Sequence, residues 1–275
     1  GDLILVDKLL FIANGPDNGQ KMINTMSVAQ KLSLNEKKEF FLLKNAHSSS
    51  QCINHLIIGI FNLNAFAISD TASAICMLAS GFNHSCSPNA RYSWHVAGGW
   101  LRIYADTLAL VVGEEVYISY ISGRHIYGSH HKDRQNQLKN YGFICSCIIC
   151  SLPFSEQEAS DRRQVEIACI WESVPYYMPH QTADRLGAIV HTVHLLKEEG
   201  YAADKDDFTN DAAAICACHA DWESVQYWVT KTYKTRVAEF GEDSQRATDI
   251  HNIYLDLKRS PDAGMQRKQK FTVGL

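Results

Sequence analysis

Tyr141-Gly142-Phe143-Ile144-Cys145-Ser146-Cys147-Ile148-Ile149-Cys150 sets three cysteines in the pattern C-x-C-x2-C, and Asn83-His84-Ser85-Cys86-Ser87-Pro88-Asn89-Ala90 supplies a fourth far upstream. The spacing of the trio lets Cys145, Cys147 and Cys150 converge on one metal ion from a short turn. Structural zinc takes four ligands in a tetrahedron, with sulfur at about 2.3 Å. Three ligands leave one position open. Cys86 is the best candidate for it, because Asn83–Ala90 has the residues of a tight, non-helical segment. Between the two cysteine stations runs Gly113-Glu114-Glu115-Val116-Tyr117-Ile118-Ser119-Tyr120, an alternating strand that ends on a tyrosine.

The other cysteines read differently. Cys52, Cys76 and Cys169 have no partner spacing and are expected to pack. Cys216-Ala217-Cys218-His219 looks metal-like, but helix neighbours two apart point in different directions, so a second metal is not expected. Adjacent Glu114 and Glu115 diverge in the same way and read as turn and packing residues. His130-His131 reads as a solvated pair in a polar loop running from Ser122 to His131.

N-H-S-C-x-P-N, then G-E-E-x-x-I-S-Y, then Y-G-F-x-C-x-C-x2-C is an order that resembles the SET-domain protein lysine methyltransferases, and within them the SMYD-like branch with a helical C-terminal region. The resemblance implies an α+β fold: a β-rich SET domain with inserted helices and a zinc-binding post-SET turn, followed by an α-helical, tetratricopeptide-like (TPR-like) domain. It implies zinc on Cys86, Cys145, Cys147 and Cys150, with Tyr120 as the principal catalytic residue and Tyr141 as a second tyrosine lining the lysine channel. Asn64, Asn83, His84, Tyr120 and Phe143 match positions that meet S-adenosylmethionine in the family. The implied reaction is methylation of a lysine side chain in a protein substrate, histone or non-histone. The alternative is a non-catalytic, zinc-stabilised SET-like scaffold that holds a protein partner.

Domain bounds on this reading are 1–150 for the SET and post-SET parts, 151–262 for the helical domain and 263–275 for a frayed tail. The family's G-x-G strand-turn is not found before Leu3, and Gly1-Asp2 reads as a turn entering a strand. The expectation is therefore a chain truncated at its N-terminus, whose missing piece completes one wall of the cofactor site.

Bulk properties agree with a globular enzyme or scaffold. Hydrophobic residues make up 46% and charged residues 20% of 275 positions, enough for a sizeable core. Residues 1–150 hold 12 Lys/Arg against 10 Asp/Glu, and residues 151–275 hold 14 against 20. That balance argues against direct nucleic-acid binding, which needs a basic stripe. No apolar run reaches the roughly 18 residues of a membrane span, and nine cysteines without a leader point to an intracellular protein of nucleus or cytoplasm.

Local signals give the elements. Leu3–Ile12 reads as a strand and Asn14–Gly19 as a loop. Ser33 and Glu36 form a capping-box pattern for a helix to about Ala46, and Gln51–Asn62 shows helical periodicity. Trp100–Ala105 and Val116–Tyr120 alternate, with Gly98-Gly99 as a hairpin turn, and Asp133–Tyr141 reads as a short helix. After Pro153 the chain turns helical, at Ala183–Glu199 with Gly200 as stop, Phe208–His219, Asp221–Phe240 with Gly241 as stop, and a last helix capped by Ser244.

Overall fold

Among residues 2–106, 110–121, 128–201 and 206–271, which the computed structural model describes, the first element organises the main sheet. Strand β1 (Leu3–Asn14) is long because its apolar run continues past Ile12, and it serves two partners. Its first half pairs with β6 (Trp100–Ala105), from Leu3 opposite Tyr104 to Lys8 opposite Trp100. Its second half pairs with β3 (Ala72–Cys76), from Leu9 opposite Cys76 to Asn14 opposite Ala72. A register shift interrupts each half, between Leu3 and Leu5 and between Leu9 and Phe11. Such bulges add twist and bend a strand, so one strand can serve two partners. With β2 (Ala65–Ala67) and β5 (Ala90–His95) the sheet order is β2-β3-β1-β6-β5, antiparallel throughout. The β5–β6 hairpin turns through Gly99 at φ +66°, a conformation that glycine adopts without a side-chain clash.

Asp7 lies on β1 and is buried, and its carboxylate accepts the main-chain N–H groups of Leu78 and Ala79, each at 2.8 Å. These bonds tie the start of the 3₁₀ turn Ala79–Gly81 to the sheet. Removing the acceptor leaves a fully buried donor at Ala79 without a partner. Asp7→Ala is expected to cost about 2 kcal/mol or more, read as a lower urea midpoint at unchanged slope.

Three helices separate β1 from β2. Helix α1 (Asn18–Lys31) begins where a loop was expected: Asp17 caps it, accepting from the Gln20 N–H at 2.8 Å, and Thr25 and Ala29 face inward. Helix α2 (Leu34–Phe40) keeps the expected capping box between Ser33 and Glu36 but stops at Phe40, short of Ala46. Helix α3 (Ile53–Asn64) buries Ile57, Ile60 and Phe61. Phe11, Phe40 and Phe61 meet in one cluster, with ring centroids 5.5 and 6.2 Å from Phe11.

The remaining helices follow the sequence closely, apart from Phe154–Ser173, for which the sequence shows only a helical character after Pro153. Helix α4 (His131–Leu138) starts two residues early because Asp161 accepts the His131 N–H at 3.0 and 2.9 Å; of the histidine pair, His130 is exposed as expected and His131 is half-buried at the helix start. Helices α5 (Phe154–Ser173), α6 (Thr182–Glu198), α7 (Asp206–Cys218), α8 (Trp222–Phe240) and α9 (Gln245–Leu255) each pack on the next. Gly200 at φ +82° ends α6 where a stop was expected, and Ser244 caps α9 through the Ala247 N–H. No helix among the described residues is long and apolar enough to cross a membrane. The stretch 122–127 of the expected polar loop, Gly1 and the tail beyond 271 lie outside the described residues.

One core runs from these helices into the cysteine turn. Ile167, Leu196, Tyr201 and Trp228 share a buried cluster with Cys86, Ile121, Leu138 and Cys145. A polar seam crosses the same contact. The Tyr201 hydroxyl donates to the Cys86 carbonyl at 2.9 Å and accepts from Gln164 Nε2 at 3.3 Å. Glu199 accepts from Ser160 at 2.6 Å, Arg163 at 2.5 Å and Gln164 at 3.2 Å.

Candidate functional site

The site is built by a second, two-stranded sheet. Strand β4 (Asn83–His84) lies parallel to β7 (Tyr117–Ile118), pairing Asn83 with Tyr117 and His84 with Ile118, and the Ser85 N–H continues the ladder to the Ile118 carbonyl at 3.0 Å. The pairing is shorter than the expected Val116–Tyr120 strand, because on one side the chain leaves for Cys86 and on the other for Ile121. Its effect is to set the N-H-S-C segment beside the I-S-Y segment.

Below this pair the 141–150 turn closes. The sulfurs of Cys86, Cys145, Cys147 and Cys150 all lie within 4.8 Å of one another, with Cys86 and Cys150 at 3.6 Å. A tetrahedron of sulfurs at about 2.3 Å from a central ion has edges of about 3.8 Å. Four sulfurs with no oxygen donor form the soft, tetrahedral set that suits zinc. Crowding also splits the thiols' proton affinities. Contacts with Cys145, Cys147 and Cys150 drive Cys86 far up, and contacts with Cys147, Cys150 and Cys86 drive Cys145 far down. A divalent cation relieves that conflict by allowing all four to ionise. Cys86 and the trio therefore meet as expected and are fit to hold zinc.

Other cysteines divide unevenly. Cys76 and Cys216 are fully buried, and burial pushes each thiol up to about 12. Cys52 and Cys169 are exposed, which corrects the expectation that they pack. Among the described residues no second metal cluster involves Cys216, Cys218 and His219.

Gly142, at φ +79°, reverses the chain between Tyr141 and Phe143 so that both rings flank Tyr120. The Tyr120 ring lies 4.8 Å from Tyr141, 6.2 Å edge-on from Phe143 and 5.4 Å from His84. Its hydroxyl donates to the Phe82 carbonyl at 2.8 Å, and the Tyr141 hydroxyl reaches the Tyr120 carbonyl at 3.4 Å. Burial, reinforced by Tyr141, raises the Tyr120 phenol above its usual range, and burial raises Tyr141. Both therefore stay protonated at neutral pH, which leaves each able to donate a hydrogen bond and neither poised as a base.

Two cavities share this pair of tyrosines. One is a cleft of about 710 Å³ bordered by Asn64, Asn83, His84, Phe143 and the cysteine turn. The other is a slot of about 50 Å³ lined by Phe66, Phe82 and Tyr92. Tyr120, Tyr141 and Asn64 lie on both. Asn64 is buried, and its amide nitrogen is taken by the carbonyls of Lys44 at 2.7 Å and Ile60 at 2.6 Å, which leaves its side-chain oxygen as the atom for a ligand donor. Asn83 Nδ2 donates to Glu115 at 2.7 Å, and the Tyr117 hydroxyl donates to the same carboxylate at 2.8 Å. Those two bonds, Asn83's first, hold Glu115 below the usual carboxylate range.

Sequence reasoning missed Glu114, Glu115 and Lys44 on the cleft wall. A signal for Glu115 was present: residues two apart on a strand share a face, which sets it beside Tyr117. Glu114 is the turn residue expected of it, accepting from the Val111 N–H at 3.0 Å and from Asn89 at 2.9 Å.

No protein-family model matches the chain. Among curated proteins, it is 27% identical over 227 residues to histone-lysine N-methyltransferase set5 of Schizosaccharomyces pombe, covering 82% of this chain and 69% of the relative. It is 38% identical over 79 residues to histone-lysine N-methyltransferase ATXR4 of Arabidopsis thaliana, covering 28% and 22% respectively. A SET5 of Meyerozyma guilliermondii is 29% identical over 136 residues, 49% of this chain and 26% of that protein. These relatives are SET-domain histone-lysine methyltransferases. The mixed helix and sheet architecture around β1 is compatible with the α+β SET fold. The chain spans about two thirds of the first relative's length and about a quarter of the other two.

Proposed function

We propose that this protein is a lysine N-methyltransferase that uses S-adenosylmethionine and acts on a protein substrate. The observation that carries the reading is the meeting of a roomy polar cleft and a narrow aromatic slot at Tyr120 and Tyr141. The cleft suits S-adenosylmethionine: Phe143 offers an aromatic face for the adenine, and Glu114 and Glu115 offer negative charge toward a cationic ligand. The slot suits an aliphatic chain ending in an amine. Bound S-adenosylmethionine supplies an electrophilic methyl group on a sulfonium.

The chain's own residues supply alignment and desolvation, which dominate the cost of an in-line displacement. The Tyr120 hydroxyl gives its hydrogen to Phe82, so its lone pairs are turned toward whatever occupies the junction. The rings of Phe66, Phe82, Tyr92 and Tyr141 exclude water from the slot. An amine there loses the hydration that favours its charged form, which lowers its affinity for a proton from the reference value of about 10.4. The neutral amine is the nucleophile. Cys86, Cys145, Cys147 and Cys150 hold a structural zinc that clamps Tyr141 and Phe143 against the β4–β7 pair.

Finer assignments belong to the same proposal. The 141–150 turn is a post-SET element, and the serial packing of α5 to α9 fits a TPR-like domain of a SMYD-like member. Histone lysines are the first substrates to test, and nucleus and cytoplasm are the compartments such a substrate implies. The scaffold reading is disfavoured, since the relatives are named as enzymes and both tyrosines face a shared junction.

Incubation with histones and labelled S-adenosylmethionine is expected to label lysine side chains, identified by peptide mass spectrometry. A protein that neither binds S-adenosylmethionine by calorimetry nor transfers label overturns the proposal. Phe143→Ala is expected to weaken S-adenosylmethionine about tenfold, the effect of losing one aromatic contact of about 1.4 kcal/mol, with a smaller change in turnover. Equal affinity in parent and variant removes Phe143 from the site.

A further inference from the structure

His84 stands between the sulfur cluster and Tyr120 with both ring nitrogens engaged. Nδ1 accepts the main-chain N–H of Tyr120 at 3.0 Å, and Nε2 lies 3.4 Å from the Cys86 sulfur. A backbone N–H can only donate, so Nδ1 carries no hydrogen and the ring hydrogen sits on Nε2, facing the sulfur. The ring is buried, 7% exposed, and is held against Tyr120 and Phe143 at 5.4 and 6.1 Å. With both nitrogens taken by protein atoms, only the main chain of His84 is left for the cofactor contact that the sequence assigned to it.

We infer that His84 is a positioning residue that couples the metal-holding sulfurs to Tyr120. The metal half of this inference stands on the hydrogen bonds alone, and the kinetic half rests on the methyltransferase proposal. Four thiolates around a divalent ion leave an excess of negative charge in a buried site, and an N–H donated to Cys86 disperses part of it. The same ring sets the position of the Tyr120 main chain, while Phe82 holds the phenol end. Tyr120 is thus fixed at both ends, and one of its anchors depends on where the Cys86 sulfur lies. Coupling of this kind is reciprocal in equilibrium affinity, so a ligand in the cleft tightens metal binding by the factor by which the metal tightens binding of that ligand.

The test uses the full chain loaded with zinc, and with cobalt for spectroscopy. Ring-nitrogen NMR of the parent is expected to show hydrogen on Nε2 of His84; hydrogen on Nδ1 overturns the inference without any variant. His84→Asn keeps an acceptor near the Nδ1 position and loses the donor to sulfur, whereas His84→Gln keeps a donor near the Nε2 position and loses the acceptor. His84→Asn is expected to release zinc to a chromophoric chelator about tenfold faster and to shift the sulfur-to-cobalt charge-transfer band. His84→Gln is expected to restore the release rate and the band, yet to lower kcat more than His84→Asn at equal metal loading. Parent-like release and spectra in both variants overturn the metal half, and equal kcat in both at equal loading overturns the Tyr120 half. If the parent transfers no methyl group while the release and spectral differences hold, the methyltransferase proposal fails and the His84–sulfur bond survives.

Discussion

Tyr120→Phe lowers the rate of methyl transfer about 10²-fold while S-adenosylmethionine still binds, on the expectation that misplacing one reacting group costs that much. The phenylalanine ring keeps the contacts with Tyr141, Phe143 and His84, and the N–H that Tyr120 donates to His84 belongs to the main chain. What disappears is the hydroxyl, with its hydrogen bond to the Phe82 carbonyl and its lone pairs at the junction of cleft and slot. Single-turnover kinetics with saturating cofactor isolates that loss from binding. The pH dependence separates two roles. Burial and the neighbouring Tyr141 raise the Tyr120 phenol, so it stays protonated through the range in which the substrate lysine must lose its proton. The rising limb of the parent profile therefore belongs to the lysine, and the variant is expected to keep that limb at a lower height. A limb that vanishes in the variant makes Tyr120 a base, and a parent-like rate removes it from catalysis.

That prediction rests on motif residues, and motif residues were the most legible part of the chain. The 145–150 trio was legible from spacing and coordination chemistry, and Cys86 was joined to it through its tight segment and the family resemblance, none of which depends on knowing the sheet. The helices from α6 onward were legible because long periodic segments with Gly200, Gly241 and Ser244 at their ends leave few alternatives, whereas α5 had only a general helical character after Pro153 to announce it. Less legible was whatever depends on distant partners. Asn14–Gly19 has loop composition, yet Asp17 uses that composition as a helix cap and α1 follows. The double pairing of β1 needs β3 and β6, far apart in sequence, and no local pattern announces the bulges that allow it. Cys52 and Cys169 were judged by the usual burial of free cysteine, which says nothing about a position just before a helix, as for Cys52, or about which helix face is outward, as for Cys169. The ring of His84 could not be placed without knowing that Ile118 lies opposite it, which brings the Tyr120 N–H within reach.

Cys86→Ser removes the one sulfur that comes from outside the 141–150 turn, and its effect is expected to spread further than its size suggests. Three thiolates from a single turn can still bind zinc weakly, but they no longer tie that turn to β4. Structural zinc contributes about 10–16 kcal/mol of apparent binding free energy in small zinc domains at neutral pH. Roughly a third of that, lost from a chain of this size, lowers the melting temperature by about 10 °C. The loss does not stop at the metal. The Cys86 carbonyl receives the Tyr201 hydroxyl, and Cys86 shares one buried cluster with Leu196, Tyr201 and Trp228, so the helical part loses a docking point as the cleft loses the wall that carries Tyr141 and Phe143. The expected result is zinc content well below one per chain, a lower melting temperature and loss of S-adenosylmethionine binding together. Cys169→Ser, at an exposed position outside the cluster, is the control and is expected to keep parental zinc content and melting temperature. Strong chelation of the parent is expected to reproduce the Cys86→Ser state, and restored zinc is expected to rescue the chelated parent but not the variant. A Cys86→Ser protein with full zinc and a parental melting temperature shows that the fourth ligand lies elsewhere, and the coupling of metal, cleft and helices then has no anchor.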